Sequence, residues 1–592
     1  MGAFPVKKAL SLCLCAAVVL GAIPFACAAA AKPETDSYPV VLLPGLLENK
    51  LIRDKGEKTE KTIWFPFGRA VSVGLRHIVN IVRYLAFNDT EGIRTLAPKI
   101  VYDVAEGIRM NPDGTSYYNI STVVSEASES SYNALKKAHK LMEVTYGTTM
   151  LKDAAKLVGG DRAFVFQYDW RMSAIDVADD LHAFLQDVKA MTGSDKVNIA
   201  GTSFGSEILL CYLDKYGEER DLHHVLMNSP AYGGSEIFLE MLSATQTPTD
   251  INYENVLKML LSNYGVEAEV GYLLNILPEG EIDLMFQSAI EDYIKPYFLP
   301  SVGLWGCCAT KDYETAKAMF LDPVKNAKMI EKADAQQAVM ARAGEILRGA
   351  ERYGTRVFAI MNEGSELITS HDSGDVLVDA ASGTGGVCLP IGEHFDGAYA
   401  PERVVCQDPA HDHVSYTGSI DLTNAYLPES TWVFYGQMHG QNYYDERARE
   451  LTLKILTTDE IQDVYSDPAF PQFSETAAAV SDVSLTLQGS PESVLRPADG
   501  AVTAVLKNHS RFHAMHVKAI DINALPYKVS RTDFLLLPGE EKTVTLTPTG
   551  QQAAARYGSI TLQYDELPNL KLHKTRTQFF ELDTSGSRCA AS

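Results

Sequence analysis

Basic residues are few relative to acidic ones: 52 Lys and Arg stand against 76 Asp and Glu, which gives a formal net charge of -24. Nucleic-acid binding depends on Lys and Arg that neutralise phosphates, so this shortage argues against a nucleic-acid partner. It also argues against electrostatic docking on anionic membranes. The ordinary effect of such a charge is to keep a protein soluble. The charge does not indicate an oligomeric state.

Cysteine is also sparse, with nine residues in a chain of 592, three of them within the first 27 positions. The other six are too few to form a disulfide scaffold in a chain of this length. Export would permit disulfides, and we expect Cys388 to pair with Cys406 across a short loop. No CxxC or His-rich cluster has the spacing of zinc ligands. The sequence therefore predicts no metal site and no cofactor.

Long hydrophobic runs are absent after the N-terminus, so no later segment is expected to span a bilayer. Residues 1–31 are typical of a secretory signal peptide, because Lys7 and Lys8 precede an apolar stretch and A-x-A cleavage sites. An uncleaved anchor is less favoured, since the apolar stretch is short for a span. A lipoprotein modified at Cys27 is disfavoured by the poor lipobox before it. We expect a secreted or cell-surface protein.

Short apolar runs alternate with segments of helical spacing between residues 38 and 458. This alternation predicts βαβ units and a mostly parallel sheet, which is the α/β class. The strands are expected at 38–43, 165–166, 197–200, 224–228, 356–361 and 431–435, and the helices at 175–191, 207–216 and 447–456. A helix-rich insertion at about 235–352 is expected to form a cap over the site. A second helical layer of core is the alternative, because periodicity does not separate the two.

The composition changes after residue 458. Residues 459–481 lack periodicity and include a stretch rich in Pro, Ser and Phe, so we expect a linker there. Beyond it the apolar residues recur with period two, as at Val483, Leu485 and Leu487, and turn signals separate the runs. This pattern predicts an Ig-like β-sandwich over 482–592. No catalytic constellation is visible in that region.

The segment 201–205 reads G-T-S-F-G, which is G-x-S-x-G between a predicted strand and a predicted helix. In that context the serine lies on a sharp turn with its hydroxyl projecting above the sheet. Ser203 is therefore the candidate nucleophile, although the motif alone also occurs in inert turns. One oxyanion donor should be the N–H of Phe204, the residue after the serine, and the other that of Leu46 in the loop after the first strand.

The α/β-hydrolase fold requires an acid and then a histidine further along the chain. Asp375 follows the strand predicted at 356–361, with Asp372 and Asp379 as close rivals. His439 follows the last predicted strand, and His411 and His413 are the alternatives. The order Ser203, Asp375, His439 fits this requirement, and such a triad needs no metal or cofactor.

Four segments together resemble the lecithin–cholesterol acyltransferase and lysosomal phospholipase A2 family of α/β hydrolases. They are residues 39–45 (P-V-V-L-L-P-G), 168–171 (Y-D-W-R), 201–205 (G-T-S-F-G) and 228–235 (N-S-P-A-Y-G-G-S), in the family's order. The resemblance covers about residues 38–456 and is strong only as far as Ser235. Thr202 departs from the family, which usually has His there, and no cysteine lies between residues 27 and 211 to staple a lid loop.

The resemblance implies an α/β-hydrolase domain over 38–458 that acts on lipid esters at a membrane or lipoprotein surface. It also implies catalytic roles for Ser203, Asp375 and His439, with Leu46 and Phe204 as oxyanion donors. The apolar clusters within 253–305 would line an acyl pocket or belong to the core. We therefore expect a secreted serine hydrolase or acyltransferase of phospholipase or lipase type. A short-chain esterase or peptidase on the same fold and a non-catalytic secreted binding protein are the alternatives.

Overall fold

The computed structural model describes most of the chain from residue 37 onward. The described ranges are 37–64, 76–77, 80, 83–84, 89–243, 288, 290–363, 372–475, 483–488, 494–509, 514–551 and 557–582, without positions 376, 391–392, 397–398, 416, 438, 524 and 568. The predicted signal peptide lies outside these residues. Within them, no helix combines the length and the hydropathy that a membrane crossing requires.

Strands occur in both halves of the chain and are numbered in chain order. They are β1 (Val40–Leu43), β2 (Leu51–Arg53), β3 (Lys61–Trp64), β4 (Ile120–Thr122), β5 (Ala163–Val165), β6 (Val197–Thr202), β7 (Leu222–Asn228), β8 (Arg356–Glu363), β9 (Val387–Cys388), β10 (Ile420–Asp421), β11 (Thr431–Tyr435), β12 (Phe473–Glu475), β13 (Val483–Leu487), β14 (Val494–Leu495), β15 (Val502–Asn508), β16 (Ala514–Asn523), β17 (Tyr527–Val529), β18 (Phe534–Leu536), β19 (Glu541–Pro548), β20 (Tyr557–Leu567) and β21 (Asn569–Leu582).

The α-helices that the structure describes are numbered in the same way. The α-helices are α1 (Thr90–Ala105), α2 (Ala127–Ser130), α3 (Tyr132–Lys137), α4 (Met150–Val158), α5 (Ala174–Thr192), α6 (Phe204–Tyr216), α7 (Ile237–Ser243), α8 (Val302–Gly306), α9 (Tyr313–Phe320), α10 (Ala327–Met340), α11 (Ala343–Gly349), α12 (Ala380–Thr384) and α13 (Glu446–Thr457). A π-helix spans Ile290–Phe298, and short 3-10 helices include Pro428–Ser430 and Gln441–Tyr443.

The central sheet has seven strands in the order β12-β11-β8-β7-β6-β1-β5. Every neighbouring pair is parallel, which confirms the predicted α/β class with a mostly parallel sheet. Strands β1, β5, β6 and β11 are buried along their whole length. Burial on both faces explains why they are continuous apolar runs. The carboxyl ends of all these strands meet at one edge, where sites of α/β proteins form.

Helices cover both faces of this sheet. Along β1, Val41 and Leu43 belong to a core with α5 and α6, whereas Val40 and Leu42 belong to a core with α4 and α13. Successive side chains of a strand point to opposite faces, so this four-residue strand contributes two side chains to each core. The helices predicted at 175–191, 207–216 and 447–456 correspond to α5, α6 and α13.

The insertion at about 235–352 contributes at least partly to the core. Its last helices pack on α6, and their buried residues join the same apolar cluster: Val339, Met340, Ala343, Ile346, Leu347 and Ala350. This portion is therefore the second helical layer that was the alternative to a cap. Residues 244–287, which make up part of the expected cap at about 235–352 and most of the apolar clusters within 253–305, lie outside the described residues.

Residues 459–481 were predicted to be a linker, but the part up to residue 475 packs on the central sheet. Ile461, Val464 and Phe470 are buried against the sheet, and the indole of Trp432 donates a hydrogen bond to the Phe470 carbonyl over 2.9 Å. Strand β12 then pairs with β11 at the edge of the sheet. The segment has no periodicity because only isolated apolar side chains, rather than a regular face, pack inward.

Two further sheets occupy the C-terminal part of the chain, in the orders β13-β15-β19-β17 and β14-β21-β20-β16-β18. Their pairings are antiparallel except that of β14 with β21. Buried side chains of both sheets form one cluster, to which β13 contributes Val483, Leu485 and Leu487. The predicted period-two pattern therefore marks real strands. A small sheet of order β3-β2-β4 was not predicted.

The expected disulfide between Cys388 and Cys406 is wrong, because both thiols are free. Cys388 lies in β9 with its sulfur 3.7 Å from an Asp379 oxygen. Cys406 is buried among other side chains, with its sulfur 3.6 Å from His411 Nδ1. Sequence spacing alone does not give the distance between two cysteines, which a disulfide requires to be short.

Candidate active site

Ser203 lies on a strained turn between β6 and α6. Its φ of 54° and ψ of -120° are unusual for a residue with a side chain. A Cβ on Gly201 would lie 2.5 Å from the Gly205 carbonyl oxygen, and one on Gly205 would lie 2.9 Å from that of Pro44. Only glycine fits at these two positions without a backbone shift. The sharp turn leaves the Ser203 side chain partly exposed at the sheet edge.

Ser203, His439 and Asp375 form a continuous hydrogen-bonded chain. Ser203 Oγ lies 2.7 Å from His439 Nε2, and His439 Nδ1 lies 2.7 Å from Asp375 Oδ2. A carboxylate accepts only, so Nδ1 carries the proton and Nε2 is free to accept the serine proton. The His439 backbone N–H also donates to the Asp375 carbonyl over 2.9 Å. The three predicted residues are thus brought together in the arrangement of a nucleophile, a base and an orienting acid.

The rival residues have other contacts. Asp379 accepts a hydrogen bond from the Ser382 N–H over 2.7 Å as the N-cap of α12. Asp372 forms a backbone bridge with Pro390. His411 and His413 lie in a different cluster, beside Cys406 and Glu429. Asp375, by contrast, is fully buried and accepts from the Val378 N–H over 2.9 Å through its second oxygen.

The two predicted oxyanion donors lie on either side of Ser203. The Phe204 N–H opens α6, so it has no acceptor within that helix. The loop after β1 runs beside the serine, since a Cβ on Gly45 would lie 3.1 Å from Ser203 Cβ. Among the described residues, no hydrogen bond occupies the Leu46 N–H. Both N–H groups therefore remain available at the site.

Three aromatic side chains hold the loop after β1 by its carbonyl groups. The Tyr168 hydroxyl donates to the Pro44 carbonyl. The Trp170 indole donates to the Asn49 carbonyl over 3.3 Å, and the Trp64 indole donates to that of Leu47 over 2.6 Å. Tyr168 and Trp170 belong to the Y-D-W-R motif, so this motif fixes the backbone that carries the Leu46 N–H.

Arg171 completes the motif and has no exposed surface. Its guanidinium donates to Asp169 over 2.8 Å, to the Ile108 carbonyl over 3.2 Å and to Ser116 Oγ over 2.9 Å. The Arg171 carbonyl accepts from Ser301 Oγ over 3.1 Å. Arg171 therefore joins the motif to a preceding segment through its guanidinium and to a following segment through its backbone carbonyl.

Glu48 is a site residue that the sequence does not indicate. One carboxylate oxygen accepts from the Gly45 N–H over 2.5 Å and from the Tyr146 hydroxyl over 2.7 Å. Burial raises the pKa of Glu48, while the hydrogen bonds and the nearby His439 oppose that rise. In the sequence, Glu48 is only an acidic residue that follows the apolar residues Leu46 and Leu47, and such residues are usually solvated.

The surroundings of His439 favour its charged form. Burial acts to lower its pKa, but the charge and hydrogen bond of Asp375 and the charge of Glu48 outweigh burial. The pKa of His439 is therefore raised above the ordinary value of 6.5. The imidazolium that forms when a base takes up a proton is stabilised in this site.

A buried polar network anchors the loop that carries His439. The Gly440 N–H donates to Ser229 Oγ over 3.1 Å, and the Asn442 amide donates to the Asn228 side chain. Asn228 in turn donates to Thr202 Oγ1 over 3.1 Å. Thr202, which replaces the usual histidine of the resembled family, is thus a hydrogen-bond acceptor for the end of β7.

No protein-family model and no curated protein matches the chain. Solved structures that match in part include the periplasmic chaperone SfaE, the E. coli chaperone DraB and WR4, a C. elegans MSP family member, at 12%, 16% and 12% identity with TM-scores of 0.15, 0.14 and 0.14. The matches cover 18%, 17% and 18% of this chain and 58%, 54% and 98% of those chains. The chain thus spans little more than half the length of the two chaperones.

Arg171→Met should lower the free energy of unfolding by about 3 kcal/mol, because loss of one partner leaves the other groups of a buried ion pair uncompensated. Urea unfolding followed by tryptophan fluorescence measures the change. Lys156→Met is the matched control, since Lys156 pairs with Asp153 over 2.6 Å on the surface and should cost less than about 1 kcal/mol. Equal decreases in the free energy of unfolding in the two variants would contradict a stabilising role for the buried contacts of Arg171.

Proposed function

We propose that the protein is a serine hydrolase or acyltransferase of the α/β-hydrolase fold that acts on lipid esters. The observation that carries the proposal is the pair of 2.7 Å hydrogen bonds joining Ser203 Oγ, His439 and Asp375. The strained turn at Ser203, between a parallel strand and a helix, supports the fold assignment. The chain order of serine, acid and histidine is that of α/β hydrolases.

The reaction begins when Ser203 Oγ attacks the ester carbonyl and His439 Nε2 takes its proton. The negative charge that develops on the carbonyl oxygen is stabilised by the N–H groups of Leu46 and Phe204. Asp375 keeps the imidazole in the correct tautomer and stabilises its charged form. His439 then protonates the leaving alcohol. Water or another alcohol, deprotonated by His439, finally releases the acyl group from Ser203.

The lipid class of substrate rests on the resemblance of the four sequence segments rather than on a bound molecule. Within those segments, Tyr168 and Trp170 contact the loop after β1, and 201–205 forms the turn at Ser203. The motifs that carry the resemblance thus lie around the reacting serine. Release from the cell as a secreted protein belongs to the same proposal and rests on residues 1–31.

Ser203→Ala should reduce hydrolysis of p-nitrophenyl esters by at least about 10³-fold, because it removes the nucleophile. The variant should keep its melting temperature and lose labelling by a fluorophosphonate probe. Ser194→Ala is the control, since Ser194 lies in the turn before β6 and its hydroxyl donates to the Lys196 carbonyl over 2.8 Å. Hydrolysis near the parent rate in a folded Ser203→Ala variant would refute the nucleophile.

Acyl-chain preference distinguishes a lipid hydrolase from a short-chain esterase. We expect kcat/KM to rise from acetyl to octanoyl and palmitoyl p-nitrophenyl esters, because each buried CH₂ contributes roughly 0.8 kcal/mol of hydrophobic free energy. Initial rates in mixed micelles measure this series. A maximum at the acetyl ester would contradict the lipid class while leaving the serine mechanism intact.

Activity should fall on the acid side as His439 becomes protonated, with an apparent pKa above about 6.5. Glu48→Gln should move this acid limb to lower pH, because it removes a negative charge that favours the imidazolium. Profiles of kcat/KM against pH check the shift. Glu218→Gln, at an exposed contact with the Tyr353 hydroxyl, should leave the limb in place. No shift in Glu48→Gln would show that Glu48 is uncharged in the working enzyme.

A further inference from the structure

A second cluster of chemically active side chains lies in the chain before β11. It consists of Cys406, His411, His413 and Glu429, each of which offers one metal-ligand atom within 4.8 Å of the others. Cys406 and His413 are buried, with 3% and 0% of their surfaces exposed. None of the four takes part in the triad chemistry, so the cluster needs a separate explanation.

His413 presents a bare lone pair in this cluster. The Gln472 amide nitrogen donates to the carbonyls of Pro428 and Thr431 over 2.7 and 2.9 Å, which fixes its orientation. Its oxygen must then accept from His413 Nδ1, 2.8 Å away. Nδ1 therefore carries the proton, and Nε2 is an acceptor. That buried Nε2 has no hydrogen-bond partner among the described residues, a costly arrangement unless it binds something.

The distances between the donor atoms match those around a tetrahedral metal ion. Cys406 Sγ lies 3.6 Å from His411 Nδ1 and 3.8 Å from Glu429 Oε1, and the latter two atoms are 3.2 Å apart. Zinc bonds of about 2.0 Å to nitrogen or oxygen and 2.3 Å to sulfur imply edges of roughly 3.3–3.6 Å. Three of the donor atoms are thus spaced approximately as corners of such a tetrahedron, and the ligand atom of His413 lies within 4.8 Å of each of them.

The groups behind the donor atoms also fit a metal site. His411 directs Nδ1 to the cluster, and its Nε2 lies 3.7 Å from an Asp408 carboxylate oxygen. Arg403 donates to the carbonyls of Asp408 and His411 over 2.7 and 2.8 Å. Carboxylate or amide partners on the second nitrogen of a ligating histidine set its orientation and basicity. Asp408 and Gln472 fill that position for the two histidines.

We propose that Cys406, His411, His413 and Glu429 bind one zinc ion. A thiolate and two imidazoles are poor ligands for Mg²⁺ or Ca²⁺, whereas zinc accepts sulfur, nitrogen and oxygen together. Four protein ligands leave no open position, so the site is structural. Binding displaces the Cys406 proton and gives His413 Nε2 the partner that it lacks. This zinc proposal does not rest on the proposed hydrolase activity.

The zinc site joins an irregular loop to the turn that precedes β11. Cys406 and His413 lie in an irregular loop, whereas Glu429 lies in the 3-10 turn Pro428–Ser430 directly before β11. Gln472 extends the connection to the residue before β12. The ion would therefore fix the loop to the start of the strand whose other end leads to His439. No zinc motif is recognisable in the sequence, because the spacing of Cys406, His411, His413 and Glu429 is not that of a CxxC or His-rich motif.

Metal analysis of the purified chain tests the proposal. We expect about one zinc per chain by mass spectrometry of the metal content, or the same stoichiometry after reloading with Zn²⁺ under reducing conditions. Chelation should lower the melting temperature, and Zn²⁺ should restore it. Co²⁺ in place of zinc should give near-ultraviolet sulfur-to-metal absorption, which reports the thiolate ligand directly.

Three variants separate the ligands from their neighbours. Cys406→Ser should lose the cobalt–sulfur absorption and bind zinc at least about tenfold more weakly, and Gln472→Ala should weaken zinc binding by about 10–100-fold through His413 alone. Cys388→Ser is the control, because its thiol is also free but lies outside the cluster. Zinc affinity is measured by competition with a chromophoric chelator.

The proposal is overturned if the reduced parent chain, reloaded with Zn²⁺, takes up no metal. It is also overturned if a folded Cys406→Ser variant keeps the parent affinity, or if the native chain contains a Cys388–Cys406 disulfide by peptide mapping. Should Cys406→Ser fail to fold, the cobalt spectrum of the parent chain decides. Absorption without a sulfur-to-metal band would then exclude Cys406 as a ligand.

Discussion

Two hydrogen bonds meet on the imidazole of His439, and the residues that they join are far apart in the chain. Asp375 is 64 positions from His439, and Ser203 is 236 positions away. They meet because β6, β8 and β11 run parallel in one sheet and end at the same edge. The unfavourable backbone angles of Ser203 cost of order 1–3 kcal/mol. The Ser203 N–H bond to the Asn228 carbonyl, 2.8 Å long, helps to hold that conformation in place.

Buried acidic groups near the triad give His439 an environment different from that of a solvated histidine. The charges of Asp375 and Glu48 both favour the protonated form of His439, so in the proposed reaction they would stabilise the cation that forms when His439 takes the Ser203 proton. The loop that carries Glu48 is held by carbonyl contacts to Tyr168, Trp170 and Trp64. Groups fixed before the reaction need little reorganisation during it, which is the main source of electrostatic stabilisation in enzymes. In the proposed reaction, the Y-D-W-R motif would therefore act by fixing backbone groups of the loop after β1.

Local patterns in the sequence predict the buried strands well, because a strand covered on both faces is a continuous apolar run. The position of Ser203 follows from the strand–turn–helix context. Chain order is compatible with Asp375 and His439 but does not separate Asp375 from Asp372 and Asp379, which the structure places in other contacts. Residue spacing could not reveal β12, whose three residues pair only because β11 offers a free edge. Glu48 was equally invisible, since its burial depends on Tyr146, which lies 98 positions further along the chain. Tertiary contacts of this kind leave no periodic signal.

The cluster around Cys406 lies in a long irregular segment, which has few backbone hydrogen bonds of regular secondary structure to hold it in place. Residues 389–419 contain no helix or strand in the part that the structure describes, apart from isolated bridges. Loops of that length inside a compact domain are uncommon without function or an additional constraint. His413 is nevertheless completely buried there, with a nitrogen that lacks a partner among the described residues. A bound metal ion resolves both problems together, because it supplies that partner and closes the loop onto the turn before β11. Since β11 is in register with β8 over five residue pairs, fixing its start also helps to fix the strand end that precedes His439.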